Sequence, residues 1–320
     1  MFRSFFLYLS KAAWARQMIT GFSPARRMAG RFVAGDRLDE ALQVIARLNA
    51  NGILATLDHL GENTTTPAEA LQAVQDILAA LDGIAANRLR ANVSIKLTQI
   101  GLRLDEKLCA ENLAQIARCA AGQGNFVRVD MEDAAVTQTT LDMVLQARQQ
   151  GLTNLGVVIQ SYLYRSLADV KMLAAQGVSV RLCKGAYKEP ESVAFPRKAE
   201  VDQNYDQLTA VLLEGVAQRW DKDPQSISSL QASYAALATH DPRRIQFAIE
   251  YAKRRDLPKQ AMEFQMLYGI RRDLQERLAA EGYPVRVYVP YGTQWYPYFM
   301  RRLGERPANV WFILSNLLRR

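Results

Sequence analysis

Histidine and cysteine are scarce. Only His59 and His240 occur in 320 residues, too few for the multi-histidine zinc sites that catalytic barrels use. Cys109, Cys119 and Cys183 form no C-x-x-C pair and are odd in number, which favours a reducing compartment and no disulfide framework. No apolar run approaches the roughly 18 residues of a membrane span. There is no G-x-S-x-G for a serine nucleophile. Gly122-Gln123-Gly124 precedes a strand pattern and lacks a third glycine, so it is no dinucleotide fingerprint. No run of five basic residues exists, although Lys and Arg exceed Asp and Glu by 40 to 32, a net charge of +8. That balance suits an acidic ligand or an anionic membrane surface and indicates no nucleic-acid track.

What is present is the material of one large α/β domain, with 49 % hydrophobic side chains and no low-complexity linker. Strand patterns at Ile53–Asp58, Val93–Leu97, Phe126–Asp130, Gly156–Gln160, Val178–Cys183, Ala235–Thr239, Glu263–Met266 and Val285–Val289 alternate with helical patterns. The helical patterns include Pro67–Ala86, Asp105–Ala121, Thr137–Gln149, Val201–Arg219 and Asp241–Arg254. Eight such units predict a (β/α)8 TIM-like barrel over 49–320, with extra N-terminal helices over 1–48 packed on it. The basic, acid-free start, Met1 to Phe22, has the composition of a transit peptide or a membrane-surface helix. Asp36–Leu48 continues in helical period without a cleavage junction, which favours a helix that packs on the barrel.

Barrel enzymes place their chemistry at the C-terminal ends of the strands. The polar residues there are Asp58 with Glu62, Lys96, Asp130 with Glu132, Gln160, Arg181 with Lys184, Thr239 with His240, Gln265 and Tyr288. A buried strand rarely carries Lys or Arg unless the charge is paired, so Lys96 and Arg181 stand out. Asp130-Met131-Glu132-Asp133 could hold Mg²⁺, but acids at a strand end are as often partners of Lys and Arg. Lys96 or Lys184 could form a Schiff base in an aldolase-like barrel, and a non-redox barrel binding an anionic metabolite is a further alternative.

The stretch from Arg286 to Arg302 delivers Tyr288 on a strand and then Tyr298, Arg301 and Arg302 on a helix that Pro297 enters in its first turn. Tyr298 lies three and four positions before the arginines, so one helix face can present all three. Neighbouring arginines diverge by about 100°, so both reach one anion only from its two sides. Guanidinium forks beside phenol rings suit a small molecule with a carboxylate head and an apolar body.

Val-Ser-Ile-Lys96-Leu, Val-Asp130-Met-Glu, Val-Arg181-Leu-Cys-Lys-Gly-Ala-Tyr187, Ala-Thr239-His240, Glu-Phe-Gln265 and Tyr298-x-x-Arg301-Arg302-Leu fall in one order. Together they resemble the proline dehydrogenase family, in its monofunctional bacterial form. The resemblance implies non-covalent FAD and oxidation of L-proline to Δ1-pyrroline-5-carboxylate by hydride transfer to flavin N5. This would be the first step of proline catabolism to glutamate, with electrons passed to a quinone. It implies a cytoplasmic enzyme able to touch the inner face of the membrane. Carried over by position, Lys96, Arg301 and Arg302 would bind the proline carboxylate. Leu182, Tyr187, Tyr288 and Tyr298 would pack on its ring. Asp130 would hold Lys96 and the polar network, and Arg181 would lie beside flavin N5. Met131, Gln160, Lys184, Gly185, Ala186, Thr239, His240 and Gln265 would contact FAD. Glu62 aligns with an acid that in the family pairs with the first arginine of the Arg-Arg motif, so Glu62 and Arg301 would form a gate. Cys183 and Lys188 depart from the family pattern, at a β-branched position and at an adenine-side aromatic one.

The chemistry is consistent with that assignment. Proline's amine is mostly protonated at neutral pH, while hydride loss needs the nitrogen lone pair. A cationic site of Lys96, Arg181, Arg301 and Arg302 would favour the neutral amine. Asp130 is the candidate general base.

Overall fold

The computed structural model describes residues 28–187, 189–220 and 233–305, together with Leu9, Ala12 and Arg26. Helix α1 (Leu38–Ala50) is followed by eight strand–helix units. They are β1 (Leu54–His59) and α2 (Pro67–Ala86), β2 (Ala91–Ile95) and α3 (Glu106–Gly122), β3 (Val127–Val129) and α4 (Thr137–Gln149), and β4 (Leu155–Gln160) and α5 (Ser166–Ala175). The second half holds β5 (Ser179–Cys183) and α6 (Lys198–Trp220), β6 (Ala235–Ala238) and α7 (Pro242–Arg254), β7 (Glu263–Leu267) and α8 (Arg272–Ala280), and β8 (Val285–Tyr291) and α9 (Trp295–Glu305). The strands pair in parallel in sequence order and β8 closes on β1. The expected (β/α)8 barrel is correct.

Local sequence explains the helix starts. Thr66 accepts from the Glu69 amide while Glu69 reaches back to the Thr66 amide, and Pro67 opens the first turn of α2. Asp105 caps α3, and Asp241 caps α7 ahead of Pro242. Capping brings Asp241 to the rim just beyond β6, where its side chain becomes part of the site.

Strand alternation sorts the sheet into two faces. Val93, Ile95, Val127, Val129, Val157, Ile159, Val180, Leu182, Val287 and Val289 belong to the apolar layer between sheet and helices. The alternate positions carry Thr56, Asp58, Asn92, Ser94, Lys96, Arg128, Asp130, Arg181, Glu263, Gln265, Arg286 and Tyr288, which turn inward. Barrel interiors are usually filled by branched apolar side chains; this one is filled by charge. Room for it is made at Gly156, where an added Cβ would lie 2.6 Å from Arg128 Nη1.

Helix α1 shares the barrel's core through Ala41, Val44 and Ile45. The segment before it crosses the rim, with the Ala34 amide donating to Pro290 O (2.8 Å) and the Gly292 amide to Gly35 O (3.0 Å). A second apolar cluster joins Ala29, Phe32, Val33, Leu60 and Ile270 to Trp295, Tyr296, Phe299, Met300 and Leu303 of α9, with Leu9 and Ala12 against it. The rest of the Met1–Phe22 segment, and Lys188, lie outside the described residues. Among the described residues no helix is long and apolar enough to cross a membrane.

Candidate active site

The inward-facing charges form a connected column. At its base Arg286 forks onto Glu263, Nε to Oε1 at 2.9 Å and Nη2 to Oε2 at 3.0 Å, with both side chains sealed from solvent. Gln265 donates to Glu263 and accepts from Arg181 Nε. Arg181 Nη1 then donates to Asp130 Oδ1 and to Ser94 Oγ, each at 2.9 Å. At the top, Lys96 Nζ lies 3.0 and 3.2 Å from the two oxygens of Asp58, 3.3 Å from Tyr288 OH and 3.4 Å from Asp130 Oδ2. Tyr288 OH donates to Asp130 Oδ2 at 2.8 Å, and Arg181 stacks over the Tyr288 ring at 5.4 Å.

Register explains the assembly. Thr56 pairs with Tyr288, Asp58 with Ser94, and Arg181 with Ala236, whose missing bulk leaves the guanidinium free to cross the barrel. Lys96, Arg128, Arg181 and Arg286 stand against Asp58, Asp130 and Glu263, with the buried Glu132 just beyond β3 as a fourth acid, so the charges inside the barrel balance when all are ionised. At the mouth Arg301 and Arg302 face one acid, Glu62, and an excess of that sign suits an anion.

The two rim carboxylates are driven apart. Burial raises Asp58 and Asp130 adds to that, with Lys96 opposing; the net is upward. Burial also opposes ionisation of Asp130, but Lys96 and Arg181 outweigh it and its acidity ends below the usual aspartate value. For Lys96, burial favours the neutral amine, yet the attraction of Asp58 and Asp130 wins and the ammonium is held charged. A Schiff-base lysine needs the opposite shift. Lys184 is no better placed for that chemistry, being ion-paired to Asp202 (2.6 Å) and Asp241 (2.8 Å).

Helix α9 covers this column. Its arginines diverge as the helical angle requires: Arg301 Nη1 lies 3.0 Å from Glu62 Oε1, and Arg302 stacks on the Tyr298 ring at 5.1 Å. Arg301 stays charged because Glu62 outweighs the cost of burial. Burial raises the Tyr187 phenol, with Arg301 opposing, so Tyr187 belongs to the same enclosure and remains a neutral hydroxyl.

The rim divides into two arcs. Lys96, Tyr288, Tyr298, Arg301 and Arg302 come from β2, β8 and α9, the arc closed by Glu62 after β1. Met131, Gln160, Arg181, Lys184, Gly185, Ala186, Thr239, His240 and Gln265 come from the consecutive strands β3 to β7 and the turns after them. Gln160 donates to the carbonyls of Met131 (3.3 Å) and Glu132 (3.2 Å), while its buried Oε1 has no hydrogen-bond partner. His240 Nε2 accepts from the Leu267 amide at 3.0 Å, which places the proton of the neutral ring on Nδ1. An unsatisfied buried acceptor and a row of polar groups spanning five strands fit a long polar cofactor. Among the described residues, no three His, Cys, Asp or Glu groups are arranged for a metal ion.

Two positions differ from the sequence reading. Lys96 is held most closely by Asp58, a residue that reading left at the rim without a role, and Asp130 is the more distant partner. Leu182 is fully buried and, beside the inward Arg181, takes the opposite face of β5 in the apolar layer. The structure does not bring it to the substrate arc. The Glu263–Arg286 base was also missed, although a charged residue inside each of two apolar strands was its visible signal.

The family model described as Proline dehydrogenase matches residues 41–314. Proline dehydrogenase 1 of Bacillus subtilis (strain 168) is 40% identical over 323 residues, spanning all of both chains. Proline dehydrogenase of Deinococcus radiodurans is also 40% identical, over 91% of this chain and 90% of its own. Among solved structures, proline utilization A (PutA) of Bdellovibrio bacteriovorus, inactivated by N-propargylglycine, superposes with a TM-score of 0.78 at 28% identity. That match covers 87% of this chain but only 32% of the much longer PutA chain.

Proposed function

The chain belongs to the proline dehydrogenase family, and from that premise we propose that it oxidises L-proline to Δ1-pyrroline-5-carboxylate with FAD as cofactor and a quinone as final acceptor. The buried charged column, with Lys96 at its top and the Arg301–Arg302 helix capping it, carries this reading. It offers a small carboxylate several fixed positive charges in a site shielded from water.

In this reading Lys96, Arg301 and Arg302 hold the proline carboxylate, and Tyr187, Tyr288 and Tyr298 wall its ring. Three cations around the substrate raise the cost of a further positive charge, so the bound amine is deprotonated more readily than in water. Asp130 holds Arg181, Tyr288 and Ser94 in fixed positions, so the electrostatic field is set before substrate arrives. Met131, Gln160, Lys184, Gly185, Ala186, Thr239, His240 and Gln265 would hold FAD along the β3–β7 arc, with Arg181 facing its ring. Bound there, FAD would supply the two-electron acceptor. Helix α9, latched by Glu62, would close over proline and exclude water. In this reading 1–48 would be a helical segment packed on the barrel and 49–320 the catalytic barrel.

The test is direct. Purified protein is expected to be yellow, and its flavin absorbance to bleach on anaerobic addition of L-proline. A folded, colourless protein that takes up no flavin would overturn the reading.

A further inference from the structure

The site holds one lysine between two buried aspartates, and the two are bonded differently. Asp58 turns both oxygens to Lys96 Nζ, at 3.0 and 3.2 Å, from a side chain that is fully buried on β1. Asp130 spreads its oxygens over Ser94 Oγ (2.8 Å), Arg181 Nη1 (2.9 Å) and Tyr288 OH (2.8 Å), and meets Lys96 only at 3.4 Å. A carboxylate that serves three fixed donors cannot also set the position of a flexible lysine chain. A carboxylate that gives both oxygens to one ammonium can.

We infer that Asp58 is the positioning residue for Lys96 and sets substrate-carboxylate affinity, while Asp130 orients Arg181 and Tyr288 and sets the rate of oxidation. The inference rests on the proline-oxidising reading and assigns separate work to two residues that look equivalent in the sequence. Its physical basis is Coulombic. Without Asp58 the ammonium is drawn toward Asp130, away from the β8–α9 side where a carboxylate would be clamped by Arg301 and Arg302. Asp130 would then share its oxygens with a stronger competitor, but its bonds to Ser94 and Arg181 come from rigid strands and persist.

The pair also carries a pH signature. Asp58 is faced by Lys96 beyond β2, Asp130 beyond β3, and Tyr288 and Tyr291 on β8, with Arg181 behind Asp130. Burial makes Asp58 the group of this set that protonates first as pH falls from neutrality. Protonation removes the counter-charge that holds Lys96, so carboxylate affinity should fall on the acid side before the fold is lost.

The experiment uses the flavin-loaded full chain, L-proline with a soluble dye acceptor, and an oxygen-ring analogue of proline that has the carboxylate but no amine. Asp58→Asn is expected to raise KM for proline and Kd for the analogue by about tenfold or more, with kcat within about threefold. Asp130→Asn is expected to lower kcat by about tenfold or more with a smaller change in analogue Kd. In the unmodified enzyme, analogue Kd should weaken with an acid limb above the ordinary aspartate range, and Asp58→Asn should abolish that limb. Loss of kcat with unchanged Kd in Asp58→Asn, or the same pattern in both variants, would overturn the division. If Asp58→Asn does not fold, the acid limb of the unmodified enzyme decides: its absence overturns the inference. Failure of the unmodified enzyme to reduce dye with proline would instead overturn the proposed reaction, and analogue binding would still read the Asp58–Lys96 pair.

Discussion

Arg301 Nη1 and Glu62 Oε1 lie 3.0 Å apart, joining the helix after the last strand to the loop after the first. Because β8 pairs with β1, residues far apart in sequence meet across one edge of the mouth. The pair is largely shielded, with 13% and 24% of the two side chains exposed. It is therefore not the open surface contact worth under about 1 kcal/mol.

If this contact latches α9, Glu62→Ala and Arg301→Ala should each weaken proline binding and slow flavin reduction with FAD still bound. The double variant should be little worse than either single one, since the same contact is removed each time. Stopped-flow flavin reduction on all three decides it, and additive losses would mean independent roles.

Arg302 stacks on the Tyr298 ring. Arg302→Met should raise KM for proline by the loss of a charge-assisted bond, about 1.5–3 kcal/mol, with a smaller loss of flavin content. Unchanged proline kinetics in flavin-replete protein would remove Arg302 from the clamp.

The Glu263–Arg286 pair at the barrel base is fully sealed. Glu263→Gln leaves a buried guanidinium without its counter-charge and should cost about 3–5 kcal/mol of stability. Denaturant titration reads this, and a change below 1 kcal/mol would show that water reaches the pair.

Asp206 on α6 is pushed up to about 6, mainly by burial, with Arg244 opposing and Asp202 adding to the rise. Between its ordinary value of 3.8 and about 6, the folded chain keeps a proton that the unfolded chain has released. Its contribution to stability therefore falls as pH rises through that window. Melting temperature measured across it should drop more steeply than in Asp206→Asn; parallel curves would rule Asp206 out as the source.

Tyr296 OH donates to Leu9 O at 2.9 Å, and Leu9 and Ala12 pack on the α9 cluster. Deleting residues 1–22 should lower the melting temperature and solubility if that packing is the segment's main role. Loss of quinone-linked activity with dye-linked activity intact would favour a membrane role instead.

Much of the architecture was legible because the sheet's outer face is apolar at period two while the caps are local. The patterns Pro67–Ala86 and Thr137–Gln149 match the observed helices to the residue, and a capping box fixes the start of the first. The polar rim was visible for a related reason: Lys96 and Arg181 break runs that the barrel would otherwise keep apolar. What local sequence does not contain is which partner a charge finds. Asp58 and Asp130 are both an acid at a strand end, and only the register that sets Asp58 opposite Ser94 tells them apart. Leu182 was placed by the resemblance alone, against the alternation that turns Arg181 inward and its neighbour outward.

Under the proposed function, the inward-facing charge makes folding and catalysis draw on one set of contacts. In most barrels of this kind the interior can be repacked for robustness without touching the chemistry. Here the base pair Glu263–Arg286 is wired through Gln265 to Arg181, so an apolar replacement that hardens the barrel against heat should simultaneously loosen the guanidinium at the reacting end. Variants selected only for thermal tolerance should accumulate substitutions in the outer helix layer and leave the barrel's axis alone. A stabilised variant that carries an apolar Glu263–Arg286 replacement at full turnover would show the two properties to be separable.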